Sequence, residues 1–154
     1  MKYKRLASEE LKELEQEFVR FLASAQITGS DWEKMKVEEV EKAEELIDVF
    51  SDLVYEKVMN KIEYLEYRDN KSLNIFHFTS DKILLVGLRV KENSSLDLMT
   101  DNVFEAWNQS NMNAVNLIKT EKIYSKERGE EVFELLQTGC MISDGKLFKL
   151  LEKL

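Results

Sequence analysis

The chain predicts an α+β fold: an antiparallel sheet of three to four strands, preceded by a helical pair and closed by a C-terminal helical hairpin. Three observations predict it. Val40, Ala43, Leu46, Ile47, Phe50, Leu53, Val54 and Val58 recur at steps of one, three and four, which places them on one face of a long helix. At Ile62 the apolar period drops to two, and "KIEYLEYR", "SLNIFHFT" and "KILLVGLRV" succeed one another, rich in β-branched and aromatic residues. Past residue 100 the helical spacing returns. Helices segregated from hairpin-linked strands define the α+β class.

Each element has its own signal. Ser8 is expected to cap a first helix, with Glu9 and Glu10 in its first turn and Leu11, Leu14, Phe18, Phe21 and Leu22 on one face. Gly29 is the expected stop. Ser30 and Glu33 have the spacing of a capping box for the next helix. The long helix is expected over residues 39–61, about 33 Å at 1.5 Å per residue, with a break near Val37–Glu39.

The three strands are separated by "DNK" and "SD", short turn formers that suit antiparallel hairpins. Alternation groups Ile62, Tyr64, Leu73, Ile75, Ile83 and Leu85 on one face, and Leu65, Tyr67, Phe76, Phe78, Leu84, Val86 and Leu88 on the other. Both groups are apolar, so both faces of the sheet need cover. "LDLMT" reads as a short fourth strand and "AVNLIKT" as an edge strand or extended link. Thr100 is expected to cap a helix through Val103, Phe104 and Trp107, and Ser125 one through Val132, Leu135 and Leu136. Gly139 ends that helix and Ser143 starts the last.

The chain has 154 residues and no proline, and no Gly/Ser-rich linker or fixed-period repeat divides it, so one domain over 1–154 is expected. No apolar run reaches the ~20 residues of a membrane span. The basic start lacks the apolar core of an export signal. A single cysteine, Cys140, suits a reducing cytoplasm, where the protein is expected. Residues 1–61 carry 10 Lys and Arg against 15 Asp and Glu, a balance of −5, within a net charge of −8. Such a surface repels phosphate backbones and favours a basic partner.

Little of the sequence looks like chemistry. Lys146, Lys149 and Lys153 share one face of the last helix, which is the weak nucleic-acid candidate. The link "TGCMIS" is too long for a DNA-reading turn, however, and Glu130, Glu131 and Glu134 are expected to face the same phosphates. His77, the only histidine, is expected to be a strand residue with one hydrogen-bonded nitrogen rather than a catalytic base. Cys140 reads as a small apolar filler at a helix end. The carboxylates show no metal-ligand spacing, and none of the five glycines forms a phosphate loop. No cofactor and no catalytic set is assigned. The sheet aromatics have only Arg68 and Lys71 beside them, too few cations for stacking on single-stranded bases. The interaction surface is placed on the acidic side of the long helix, at Glu41, Glu45 and Glu56.

The segments "MKYKRLASEELKELEQEF", "ITGSDWEKMK", "EKAEELIDVFSDLVYEKVMNKIEYLEYR" and "YSKERGEEVFELLQTGCMISDGKLFKLLEKL" resemble a family of short acidic cytoplasmic bacterial proteins of unknown function. The resemblance covers nearly the whole chain and implies no catalytic residue, substrate or partner. The residues favour a non-enzymatic interaction module, an adaptor or regulator that meets another, basic protein or a second copy of itself. The alternatives are a nucleic-acid-associated protein using the final helices and an enzyme whose site carries no motif.

Overall fold

The computed structural model describes residues 1–100 and 102–154, which fall into two compact units, Met1–Val58 and Met59–Leu154. The class is α+β, with seven helices and a five-stranded antiparallel sheet among the described residues. The expected three to four strands are therefore too few.

The first unit holds α1 (Ser8–Glu13), α2 (Glu15–Ser24), α3 (Gly29–Glu38) and most of α4 (Val40–Lys61), four helices where a pair is expected. Ala7, not Ser8, is the residue before α1, and its N–H donates to Glu10 Oε1 at 3.0 Å. Gln26, not Gly29, ends α2: it takes a left-handed φ of 61°, and Ile27 N–H reaches back to Leu22 O at 2.9 Å. Thr28 then caps α3, exchanging hydrogen bonds with Asp31 in place of the expected Ser30–Glu33 box. The break at Glu39 is present, and α4 runs 22 residues beyond it.

Phe50 is the centre of this unit. It is buried, and its ring meets Phe18 at 5.0 Å and Phe21 at 5.5 Å, while Phe18 meets Trp32 edge-on at 5.1 Å. Leu53, expected on the buried stripe, is 55% exposed. The opposite side of α4 is not simply solvated. Residues 2–6 lie along it: Lys2 and Tyr3 N–H donate to Asp52, Arg5 forks onto Asp48, and Leu6 N–H donates to the buried Ser51 Oγ at 3.0 Å.

The second unit is built on the sheet, ordered β4-β3-β2-β1-β5. Its strands are β1 (Tyr64–Arg68), β2 (Ser72–Phe78), β3 (Lys82–Val90), β4 (Val115–Ile123) and β5 (Met141–Ser143), each antiparallel to its neighbours. "AVNLIKT" belongs to the edge strand β4. "LDLMT" makes turns instead of a strand, and residues 102–106 are turns where a helix is expected. The helix there is the short α5 (Gln109–Asn113), capped by the Asn108 side chain.

Register corrects the expected faces. Tyr64 sits opposite His77, and His77 opposite Leu84, so Ile75, Leu73, Val86 and Leu88 share that face. Leu65, Phe76, Phe78, Ile83 and Leu85 share the other. Placing β3 in phase with β2 displaces it by one residue, which flips every side chain. The inference that both faces are covered holds for the middle of the sheet. Helix α7 (Lys146–Glu152) packs Phe148 and Leu151 on the Tyr64 face, where Leu73, Ile75, Leu88 and Leu98 are also buried. Helix α6 (Arg128–Gln137) lies on the Leu65 face.

The predicted C-terminal hairpin is thus wrong in a specific way. Met141–Ser143 pairs with β1 as an edge strand, and the two helices lie on opposite faces of the sheet. Gly139 does end α6, at φ 105°, with Cys140 N–H bonded back to Leu135 O. Ser143 accepts from Gly145 N–H at 3.1 Å, and Gly145 itself precedes α7 at φ 82°. A Cβ there would lie 2.4 Å from the Tyr64 ring, so only glycine fits.

Candidate binding cleft on the sheet

Helix α6 does not cover its face evenly. On the β1 side Leu65 and Val132 are fully buried. Toward β4 the sheet is left partly open, and a cleft of about 420 Å³ forms between α6 and β2–β4. Its apolar surface comes from Phe76, Ile83, Leu85 and Leu135, and its polar rim from Thr120, Thr138, Glu121, Lys122, Glu131 and Glu134. A concave, largely apolar site with a few convergent polar groups is the usual form of a ligand pocket.

Glu131 is the unusual group. It is 4% exposed, whereas the sequence places it on the solvent side of α6. Its Oε1 accepts from Lys122 Nζ and from Ser125 Oγ at 3.0 Å, so Ser125 orients this carboxylate rather than capping α6. Its Oε2 is buried with no hydrogen-bond partner. Burial pushes the carboxyl pKa up, but the Lys122 and Ser125 hydrogen bonds outweigh it, and the net direction is down. Glu131 is therefore ionised at neutral pH.

One turn earlier on α6, Arg128 is a structural clamp. Its guanidinium donates to Met59 O at 3.2 Å, Ile62 O at 2.5 Å and Phe78 O at 3.2 Å, tying the end of α4 to the end of β2. Arg128, Glu131, Leu135 and Thr138 recur at steps of three and four, which is the signal in sequence for this inward face.

The residues singled out from sequence are scattered. His77 lies on the other face, stacked on Tyr64 at 4.4 Å with Phe148 edge-on at 5.3 Å; among the described residues it is ring packing that holds it. Burial lowers its pKa, Glu63 and Glu152 oppose that shift, and Lys149 and Arg128 add to it. The unfolded chain thus takes up the proton first as pH falls, and folding loses stability from about pH 6.5 downward. His77→Phe is expected to flatten the decline in melting temperature between pH 7 and 5; an unchanged slope would refute this.

Cys140 is buried beside Thr138, and burial raises its thiol pKa, opposite to a reactive thiolate. Lys146, Lys149 and Lys153 are exposed on and just beyond α7, with Lys146 bordering an open polar hollow where Arg68 is already held by Glu66 and the Phe104 ring. Glu41 and Glu45 are exposed, whereas Glu56 accepts from Lys2 Nζ at 2.8 Å and Tyr3 Oη at 2.6 Å. Among the described residues no group of three or more His, Cys, Asp or Glu side chains could hold a metal, and no helix is long and apolar enough to cross a membrane.

The model of one protein family matches residues 1–154. The chain belongs to that family, described as "Family of unknown function (DUF6495)". The expected resemblance to a family of unknown function over nearly the whole chain is therefore met. No curated protein and no solved structure matches the chain.

The open edge of the sheet borders the cleft. Val90 N–H bonds Lys71 O and Lys91 N–H bonds Ala114 O, so successive β3 residues face β2 and β4 in turn. Continuing that alternation, Val115, Leu117, Lys119, Glu121 and Ile123 direct their peptide groups away from the sheet. Most of the nine-residue strand is exposed, with Ile123 at 79%.

Proposed function

We propose that this protein is a non-enzymatic interaction module, an adaptor or regulator of the cytoplasm, that binds an extended segment of another protein along β4. The observation that carries this reading is the exposed edge of that strand. Five residues present outward peptide groups over its length, enough to hydrogen-bond an added strand, while side chains on the cleft side would supply selectivity. Lysines at positions 119 and 122 discourage indiscriminate edge pairing, as edge strands require.

A second surface supports the same function with a basic partner. At the α3–α4 corner Val37 is 78% and Val40 51% exposed among Glu38, Glu39, Glu41 and Glu45, with one cation, Lys42, paired to Glu39 at 3.6 Å. Apolar contact ringed by carboxylates favours a partner bearing Lys or Arg, with association slowed by salt. Glu56, the third residue expected on this surface, has its carboxylate engaged by Lys2 and Tyr3.

The test is comparative capture from cell lysate. Glu121→Pro removes an outward N–H while leaving the β3 ladder intact, and Glu121→Ala controls for the side chain. The proline variant is expected to lose a captured partner by about tenfold or more, with the alanine variant retaining it. Equal capture by both variants contradicts strand addition, and loss only in a Glu41→Lys, Glu45→Lys variant transfers the site to the acidic corner. Tight duplex DNA binding, abolished by changing Lys146, Lys149 and Lys153 to Glu, would replace the reading with the nucleic-acid alternative.

A further inference from the structure

The cleft between α6 and the β2–β4 face has a property that strand addition at β4 does not use. Glu131 lines it with a carboxylate that is only half satisfied: Oε1 has two donors, and the buried Oε2 has none. Lys122 pairs with Oε1 from a side chain 58% exposed, against 5% for Glu131, and this pairing leaves Oε2 without a donor. An enclosed carboxylate oxygen without a donor is costly, and a charged donor satisfies it better than a neutral one. Around it, Phe76, Ile83, Leu85 and Leu135 offer apolar surface in a volume suited to a small ligand.

We propose that this cleft is a binding site for a small amphipathic amine, its ammonium donating to Glu131 Oε2 and its apolar body lying against Phe76, Leu85 and Leu135. The site discriminates by charge. An alcohol of the same shape gives Oε2 a weaker donor, and a carboxylate of the same shape brings a second negative charge beside Glu121, Glu131 and Glu134. The apolar walls set a preference for an aryl or alkyl body over a polyamine, whose additional charges would have to be desolvated against Phe76, Leu85 and Leu135.

The test is an NMR titration of the full chain with 2-phenylethylammonium, alongside 2-phenylethanol and 3-phenylpropanoate. The amine is expected to shift resonances of Leu85, Glu131 and Leu135 and to bind at least about tenfold tighter than the alcohol, with the acid weakest. Glu131→Gln removes the charge and is expected to bring amine affinity down to that of the alcohol. Should that variant fold poorly, Thr120→Trp, at an exposed position on the rim, fills the cleft and is expected to abolish binding of both. Equal binding of amine and alcohol, amine binding that survives both variants, or no shift up to about 10 mM amine would each overturn the proposal. Peptide capture through β4 is read separately by the Glu121→Pro comparison, so failure of one reading is distinguishable from failure of the other.

Discussion

Phe50→Ala is expected to cost about 3–5 kcal/mol, enough to unfold a domain of ordinary stability. The side chain is 4% exposed, and the rings of Phe18 and Phe21 close on it at 5.0 and 5.5 Å. Removing the ring takes away its burial and leaves a cavity that neighbours anchored on α2 cannot fill by small movements. Phe18 also carries the contact onward to Trp32, so the cluster joins α2, α3 and α4 through one residue. Phe50→Leu, which keeps much of the volume, should cost markedly less. Thermal denaturation followed by near-UV circular dichroism reads both variants. An unchanged melting temperature in Phe50→Ala would show that the aromatic cluster is not what holds Met1–Val58 together.

Arg128→Ala is the second large effect, expected at about 2–4 kcal/mol because hydrogen bonds to charged groups are the stronger kind. Three carbonyls lose their donor at once: Met59 O in the last turn of α4, Ile62 O just after it, and Phe78 O at the end of β2. The positive charge also suits the C-terminal end of the α4 dipole. Lysine restores that charge but not the fork, since a single ammonium on a flexible stem cannot span the three acceptors. Arg128→Lys is therefore expected to recover less than half of the loss in chemical denaturation. Full recovery would mean that charge alone matters and that the guanidinium geometry does not.

The parts of this fold that are legible in the sequence are those fixed by local periodicity. The α4 stripe, the break at Glu39, the three central strands and the Gly139 stop all come from spacing and turn chemistry. The illegible parts depend on partners distant in the chain. Met141–Ser143 is too short and too exposed to announce a strand, and it is one because β1 offers an edge. The left-handed Gln26 is not a glycine, so a glycine-based stop falls three residues late, at Gly29. Asp48, Ser51 and Asp52 look like a solvated face because their partners are residues 2–6, more than 40 positions away.

The cleft is illegible for the same reason. Glu131 reads as one of many first-turn carboxylates on an acidic chain, and only the β3–β4 register brings Lys122 across to it. The displaced phase of β3 also hides which apolar residues share its face. The Arg128–Glu131–Leu135–Thr138 spacing is visible, but it gains meaning only once α6 is known to lie on Leu65 and Phe76.

Strand addition at β4 is tested most directly by amide hydrogen exchange across that strand, measured with and without a captured partner segment. The outward amides of Leu117, Lys119, Glu121 and Ile123 are expected to exchange quickly in the free protein and to become protected together on binding, while those of Asn116, Ile118, Thr120 and Lys122 are already protected by β3. Protection confined to the α3–α4 corner, with the β4 edge exchanging as fast as before, would contradict the account.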